Sequence, residues 1–139
     1  VNLPKKMAET IISHGLNDYV KEVYASEECV YSLKYKYAGT MDALISTQDN
    51  KLQICDFKQK NFPAKREYSS IRNYFTQCIL YAIAHNETYG TKIQSSVILM
   101  CTPNLIFQKF EIEGQEFMDL QKEALERVEH YHELVSQNI

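Results

Sequence analysis

Glycine and proline, the residues that most often interrupt helices and strands, are scarce in this sequence. It contains four glycines and three prolines among 139 residues. It also lacks an internal repeat, a linker-like stretch and any low-complexity segment. A chain of this length fits one domain, so we expect a single domain over residues 1–139.

Long hydrophobic runs are missing as well. No apolar stretch approaches the ~20 residues that a helix needs to span a bilayer, and no signal peptide opens the chain. We therefore expect neither a membrane partner nor secretion.

Closely spaced cysteines are the third absence. The four cysteines, Cys29, Cys55, Cys78 and Cys101, are spread along the chain without a CxxC pair. Zinc and iron–sulfur sites usually need such pairs, so we expect neither. Each cysteine lies in an apolar segment, which predicts buried free thiols in a reducing intracellular compartment: a bacterial or phage-host cytoplasm, or a mitochondrion.

An excess of positive charge is also lacking, because the formal net charge is −3. This argues against strong, charge-driven coating of duplex DNA. Positive charge is concentrated locally, however, in Lys58, Lys60, Lys65, Arg66 and Arg72, among which Glu67 is the only acid. This run is as consistent with a contact to a DNA strand as with a solvated surface.

Hydrophobic periodicity and turn residues predict a helix, three strands, a helix, two strands and a helix. The second helix should have a serine N-cap and end at Tyr89-Gly90. The predicted helices cover residues 4–22, 69–86 and 115–135, and the predicted strands cover residues 28–37, 38–47, 51–58, 92–101 and 105–112. This order indicates an α/β sandwich with a sheet of mixed strand direction.

Chemistry-bearing residues follow one another at the end of the third predicted strand. Because strand side chains alternate, Asp56 and Lys58 should point to the same face, about 7 Å apart. Asp42 lies on the preceding strand, after Gly39, where a backbone or ligand could approach closely. Two carboxylates form a hard oxygen site suited to Mg²⁺ or Mn²⁺, and a nearby lysine could position a water molecule.

The hairpin between these strands fixes whether the two acids can meet. A three-residue loop, Gln48-Asp49-Asn50, places Asp42 opposite Asp56, whereas a two-residue turn would split them across the sheet. Three-residue hairpin loops commonly end in a left-handed residue, a conformation that Asn50 tolerates. This register also pairs Leu44 with Ile54, Ala43 with Cys55, Met41 with Phe57 and Thr40 with Lys58, with Met41, Phe57, Ala43 and Cys55 as one apolar set.

Three motifs together resemble the PD-(D/E)XK nuclease superfamily. They are Gly-Thr-Met-Asp at 39–42, Ile-Cys-Asp-Phe-Lys at 54–58, and Gln77 with Tyr81 in a Gln-x-x-x-Tyr arrangement. The last element is typical of the RecB-like exonuclease branch, which includes the mitochondrial genome maintenance exonucleases and phage and bacterial relatives. The resemblance runs from about Val23 to about Tyr131.

This resemblance implies a restriction-endonuclease-like three-layer sandwich, with a central mixed sheet between helices, and a Mg²⁺- or Mn²⁺-dependent exonuclease. Its implied substrates are DNA ends or single strands, in DNA repair or recombination. Asp42 and Asp56 would bind metal with the Phe57 carbonyl, and Lys58 would be catalytic. Gln77 and Tyr81 would help to hold DNA, and the resemblance puts Glu27 at an acidic position of the first strand.

Alternative interpretations remain open for these residues. Asp56 and Lys58 could form an ordinary surface ion pair, Gln77 and Tyr81 could be plain helix surface, and Glu27 is equally a third acid of the site or a strand-end charge. The chain also departs from the family, since Gln59 replaces the usual Thr or Ser and the N-terminal helix with a Gly-Thr-x-x-His motif is not found. A catalytically impaired module that binds DNA or protein is therefore the alternative function.

Overall fold

The computed structural model describes residues 2–137. Its helices are α1 (Leu3–Ile11), α2 (Asn17–Tyr19), α3 (Ser69–Tyr89) and α4 (Gly114–Gln137), and a π-helical segment, Ile12–Leu16, joins α1 to α2. Its strands are β1 (Val20–Ser32), β2 (Tyr37–Thr47), β3 (Leu52–Gln59), β4 (Ser95–Cys101) and β5 (Phe107–Glu113). The predicted order of helices and strands is confirmed, with the first helix divided.

The five strands form one sheet in the order β1-β2-β3-β4-β5. Neighbouring strands are antiparallel except β3 and β4, which are parallel and are connected through α3. The predicted mixed strand direction is therefore confirmed. In this order β3, which carries Asp56 and Lys58, is the central strand.

Helices cover both faces of the sheet, and each face has its own hydrophobic core. The α3–α4 side buries Leu44, Ile54 and Ile98 against these helices. The α1 side buries their sequence neighbours Ile45 and Cys55 against Met7 and other residues. Side chains that alternate along a strand thus supply both cores. None of the helices described between residues 2 and 137 is long and apolar enough to cross a membrane.

The prediction of one helix over residues 4–22 is wrong after Tyr19. From Val20 the chain is β1, which pairs with β2 through contacts such as Val20 with Thr47 and Val23 with Ile45. The apolar positions here fit a helix or a strand, and pairing with β2 decides between them. The first strand therefore begins earlier than predicted, and it ends at Ser32, before a turn that includes Lys36 at φ +60°.

Gly15 explains how the N-terminal segment approaches the sheet. A Cβ at this position would lie 2.9 Å from Leu99 Cδ1 and 3.3 Å from the Phe107 ring, so only glycine fits without a shift. Because Gly15 belongs to the π-helical segment, this segment packs closely against Leu99 and Phe107.

Two local predictions on the remaining elements are corrected and one is confirmed. The residue before α3 is Tyr68, and no side chain caps the helix, so the predicted serine cap is wrong. Helix α3 ends as predicted, with Gly90 at φ +68° donating its N–H to the Asn86 carbonyl at 2.9 Å. All four cysteines are free, but Cys29 is exposed, because it lies on the edge strand β1, while the other three are buried as expected.

Candidate active site

The β2–β3 hairpin has the register predicted from its loop. Leu44 pairs with Ile54, the Thr47 N–H donates to the Lys51 carbonyl at 3.0 Å, and Asn50 is left-handed at φ +62°. Continued by one position, this register places Asp42 opposite Asp56. The three-residue loop is therefore confirmed.

The expected pairing beyond the aspartates is wrong. The ladder between these two described strands ends at Ala43 and Cys55, so the pairs of Met41 with Phe57 and Thr40 with Lys58 are not formed. Met41 joins the α3-side core and Phe57 packs against the α1-side core. The reason is a break in the alternation of β2 at Asp42, whose carboxylate Oδ2 accepts the Phe57 N–H at 2.9 Å.

Asp56 is a buried carboxylate whose charge is only partly compensated. It is 7% exposed, and its Oδ2 is shielded from solvent without a hydrogen bond. The Lys58 ammonium lies 3.3 Å from this oxygen, within ion-pair distance but off hydrogen-bond geometry. Burial and the neighbouring Asp42 raise the pKa of Asp56 to about 7, although Lys58 opposes the rise. The pair of acids is thus a site short of positive charge.

The Lys58 ammonium lies next to an aromatic ring of α3 as well as next to Asp56. This ammonium lies 4.7 Å from the centre of the Tyr74 ring, and the Lys60 ammonium lies 5.2 Å from the same centre. Both distances are within the range of cation–π attraction. Tyr74 therefore lies beside two ammonium groups, that of Lys58 near the end of β3 and that of Lys60 just after it.

The middle of α3 packs against β2 and β3, the strands that carry the two aspartates. Cys78 is buried there, and burial followed by the charge of Asp56 raises the pKa of its thiol to about 12. Its neutral sulfur therefore borders the acids without adding charge. Burial, Cys78 and the two aspartates likewise raise the pKa of Tyr81, while Gln77 opposes this rise. Gln77 itself is exposed.

Gly39 has a steric role that the sequence alone did not define. A Cβ at this position would lie 2.6 Å from Tyr81 Cε1. The close approach expected at this glycine is therefore made by the Tyr81 ring of the protein itself. The close contact between Gly39 and the Tyr81 ring therefore holds α3 against β2, the strand that carries Asp42.

The cations predicted to contact DNA fall into two groups. Arg66 forms an ion pair with Glu116 at 2.6 Å, and Arg72 pairs with Glu123, both on α4. Lys60 and Lys65 are exposed and form no salt bridge with any residue between 2 and 137. Of the four cations, only the two arginines are therefore held in ion pairs, and Lys60 lies near the acid site through its contact with Tyr74.

Glu27 neighbours Asp42 in the strand register, but its side chain forms no metal-holding group with the two aspartates. The β1–β2 register, with Ser26 opposite Ala43 and Glu28 opposite Met41, puts it beside Asp42 on the edge strand. Its side chain is exposed and its backbone is left-handed at φ +47°. Within residues 2–137 no three His, Cys, Asp or Glu residues form a group that could hold a metal ion. Asp42 and Asp56 therefore form a pair of acids.

Gln59, the residue that departs from the family pattern, lies outside the acid site. Its amide Nε2 donates to the Pro4 carbonyl at 3.2 Å, at the start of α1. Its effect is therefore on the packing of the N-terminal helix.

Comparison with known proteins bears on the fold alone. No protein-family model matches this sequence, and no curated protein matches it. The structure is similar to the crystal structure of SSO0001, with a TM-score of 0.52 and 14% sequence identity, over 94% of this chain and 58% of that one. This chain thus spans less than two thirds of the length of that protein.

Proposed function

We propose that this chain is a divalent-metal-dependent nuclease with a restriction-endonuclease-like three-layer sandwich fold. Its substrate is DNA, and the expected activity is that of an exonuclease on ends or single strands in an intracellular, reducing compartment. One observation carries the proposal: two carboxylates on neighbouring strands, Asp42 and Asp56, meet beside the Lys58 ammonium. The mixed sheet with helices on both faces supports the fold.

The donor set fits a hard divalent cation. Asp56 Oδ2 is buried without a hydrogen bond, and a second carboxylate lies next to it. Buried acids in such a position need compensating positive charge, and paired carboxylates favour Mg²⁺ or Mn²⁺. Asp42 and Asp56 would hold the ion, and the family resemblance adds the Phe57 carbonyl as a third ligand. When bound, the ion would polarise the scissile phosphate and acidify a water molecule.

The protein's own groups supply the remaining steps. Lys58, held between Asp56 and the Tyr74 ring, is placed to orient the attacking water and to offset negative charge that develops on the phosphate. The Asp42 carboxylate is fixed by the Phe57 N–H, so one of its oxygens keeps a constant direction. On the α3 side, burial and the charges of the aspartates raise the pKa of Cys78 and of Tyr81, so both side chains stay neutral there.

A digestion experiment tests this function. Single- and double-stranded DNA, labelled at the 5′ or the 3′ end, is incubated with the protein and Mg²⁺ or Mn²⁺. We expect progressive shortening that EDTA stops and that Asp56→Asn abolishes. Asp49→Asn, an exposed acid in the same hairpin, is the matched control and should cleave like wild type. Digestion that continues in excess EDTA would contradict the proposal.

A module that binds DNA or protein without cleavage is the second candidate. The observation that favours it is the Lys58–Asp56 ion pair, which offsets part of the acid's charge without a metal. It predicts DNA or protein binding that divalent cations do not change and no product in the digestion experiment.

A further inference from the structure

The segment between β3 and α3 presents an aromatic side chain to solvent. Phe62 is 79% exposed, the highest exposure among the large hydrophobic residues of the described chain. It lies in the connection from Gln59 to Ser69, directly after the strand that carries Asp56 and Lys58. Exposing a phenylalanine to this degree forgoes the stabilisation that its burial would provide.

This segment is anchored on both sides of Phe62. Before it, the Lys60 N–H donates to the Cys101 carbonyl at 3.1 Å. After it, Ala64 forms two hydrogen bonds of 2.8 Å with the Gln108 side chain, through its N–H and its carbonyl. The anchors hold the chain at the sheet and leave Asn61, Phe62 and Pro63 exposed between them. The position of Phe62 is therefore set by the fold, although the fold gains little burial from its ring.

The charges around Phe62 are positive and available. Lys60 and Lys65 flank it, both exposed and without a salt bridge among residues 2–137. Lys60 also shares the Tyr74 ring with Lys58, so the positive charge is continuous with the acid site. An exposed aromatic ring with exposed cations two positions before it and three positions after it is complementary to a nucleic-acid strand with unstacked bases, which needs a stacking surface and phosphate contacts.

We propose that Phe62 is a stacking platform for an unpaired base, with Lys60 and Lys65 contacting the neighbouring phosphates. The strand so held would continue towards Asp42 and Asp56. This inference rests on the proposed nuclease function and defines its substrate as single-stranded nucleic acid or an unpaired end. A blunt duplex, whose bases are stacked on each other, offers the ring nothing to stack on.

Binding measured without cleavage tests the platform. Fluorescence anisotropy of a labelled single-stranded oligonucleotide is recorded in EDTA, for wild type and for Phe62→Ala. We expect the variant to bind more weakly by roughly 5- to 150-fold, the range for one base stacked on an aromatic side chain. Leu33→Ala, which removes another strongly exposed apolar side chain, is the matched control and should bind like wild type.

An abasic oligonucleotide of the same length separates stacking from general adhesion. Wild type and Phe62→Ala should bind it equally, because it has phosphates but no bases. The sequence contains no tryptophan, so Phe62→Trp is a single-tryptophan reporter whose emission should be quenched by the normal oligonucleotide and not by the abasic one.

Two results would overturn the platform. One is equal binding of the normal oligonucleotide by wild type and Phe62→Ala, and the other is an equal loss by the variant on normal and abasic strands. If either occurs while metal-dependent digestion persists, only this inference fails. If digestion is absent while Phe62→Ala weakens binding to the normal strand alone, the platform stands and the nuclease proposal fails.

Discussion

Asp56 is buried at the acid site, where its charge is only partly compensated. Its Oδ2 is buried without a hydrogen bond, a second carboxylate is its neighbour, and one lysine provides the nearby positive charge. An unsatisfied buried polar group costs about 1–3 kcal/mol. In the absence of metal, this cost should lower the free energy of unfolding of the protein.

Replacing this acid should separate stability from activity. In EDTA, Asp56→Asn should raise the free energy of unfolding by about 1–3 kcal/mol, because it removes the uncompensated charge. Mg²⁺ should raise the melting temperature of wild type and leave that of the variant unchanged. Thermal unfolding with and without Mg²⁺ measures both effects. A variant less stable than wild type in EDTA would show that the ion pair with Lys58 already satisfies the acid.

Tyr74 acts on the site through the lysine that it contacts. Tyr74→Leu should lower turnover by about 2- to 30-fold, because a cation–π contact of ~0.5–2 kcal/mol no longer holds the Lys58 ammonium. Tyr74→Phe keeps the ring and should restore most of the rate. Steady-state kinetics on a labelled strand distinguish this role, since KM should change less than kcat. A defect that is equal in both variants would assign the effect to the hydroxyl.

At the scale of elements, α3 is held on the sheet by the fit of Tyr81 against Gly39. Gly39→Ala should destabilise the protein by about 1–3 kcal/mol and reduce cleavage, because the new Cβ would lie 2.6 Å from the ring. Combining it with Tyr81→Ala should cost less than the sum of the two single changes, since the clash is then absent. Denaturant unfolding of the four proteins gives this coupling. Strict additivity would mean that the two residues act independently.

The C-terminal end of α3 contains a buried histidine that should make stability depend on pH. The ring nitrogen Nδ1 of His85 lies 2.8 Å from the Thr91 hydroxyl, and burial lowers the pKa of His85 although Glu28 opposes the shift. The unfolded chain then binds a proton at a pH where the folded protein does not. The contribution of the neutral His85 ring to the free energy of unfolding is therefore complete above the unfolded pKa of about 6.5. It is lost as the pH falls towards the lower pKa of the folded protein.

His85→Asn should weaken this acid sensitivity, because an amide retains a donor and does not titrate. We expect the free energy of unfolding of wild type to fall more steeply between about pH 6.5 and 5 than that of the variant. His14→Asn, at an exposed position of the π-helical segment, is the control and should follow wild type. If the free energy of unfolding depends on pH in the same way for all three proteins, His85 does not cause the acid sensitivity.

The local elements also show what a sequence can and cannot predict. The β2–β3 register was predictable because it depends on a short loop and on a left-handed Asn50. The boundary at Val20 was not, because its apolar pattern suits both a helix and a strand until β2 is present as a partner. The contact of Tyr81 with Gly39 and the pairing of Arg66 with Glu116 join distant parts of the chain, and no local pattern signals them.

For the whole molecule, the distribution of charge matters more than the net value of −3. Helix α4 neutralises Arg66 and Arg72 through Glu116 and Glu123, while Lys60 and Lys65 form no salt bridge with any residue from 2 to 137. Changing both lysines to Gln should reduce the slope of log K against log salt for single-stranded DNA by up to ~1.4, or ~0.7 for each phosphate contact.

Changing Arg66 and Arg72 to Gln provides the contrasting pair. These substitutions should leave the salt slope unchanged and lower stability by about 1 kcal/mol or less for each ion pair, since both pairs are partly exposed. Salt titrations of binding for the two double variants, together with unfolding curves, test this division. A slope that falls equally in both would show that the arginines leave α4 to contact the strand.

The three-residue loop has a consequence for the time at which the site forms. Asp42 and Asp56 belong to one hairpin, and closing a short loop costs little conformational entropy. The pairing of β3 with β4 must instead wait for the crossover through α3, which joins residues far apart in sequence. The two acids can therefore be neighbours early in refolding, before α3 covers them, so the proposed metal ion should bind the hairpin first and accelerate the formation of the rest of the sheet.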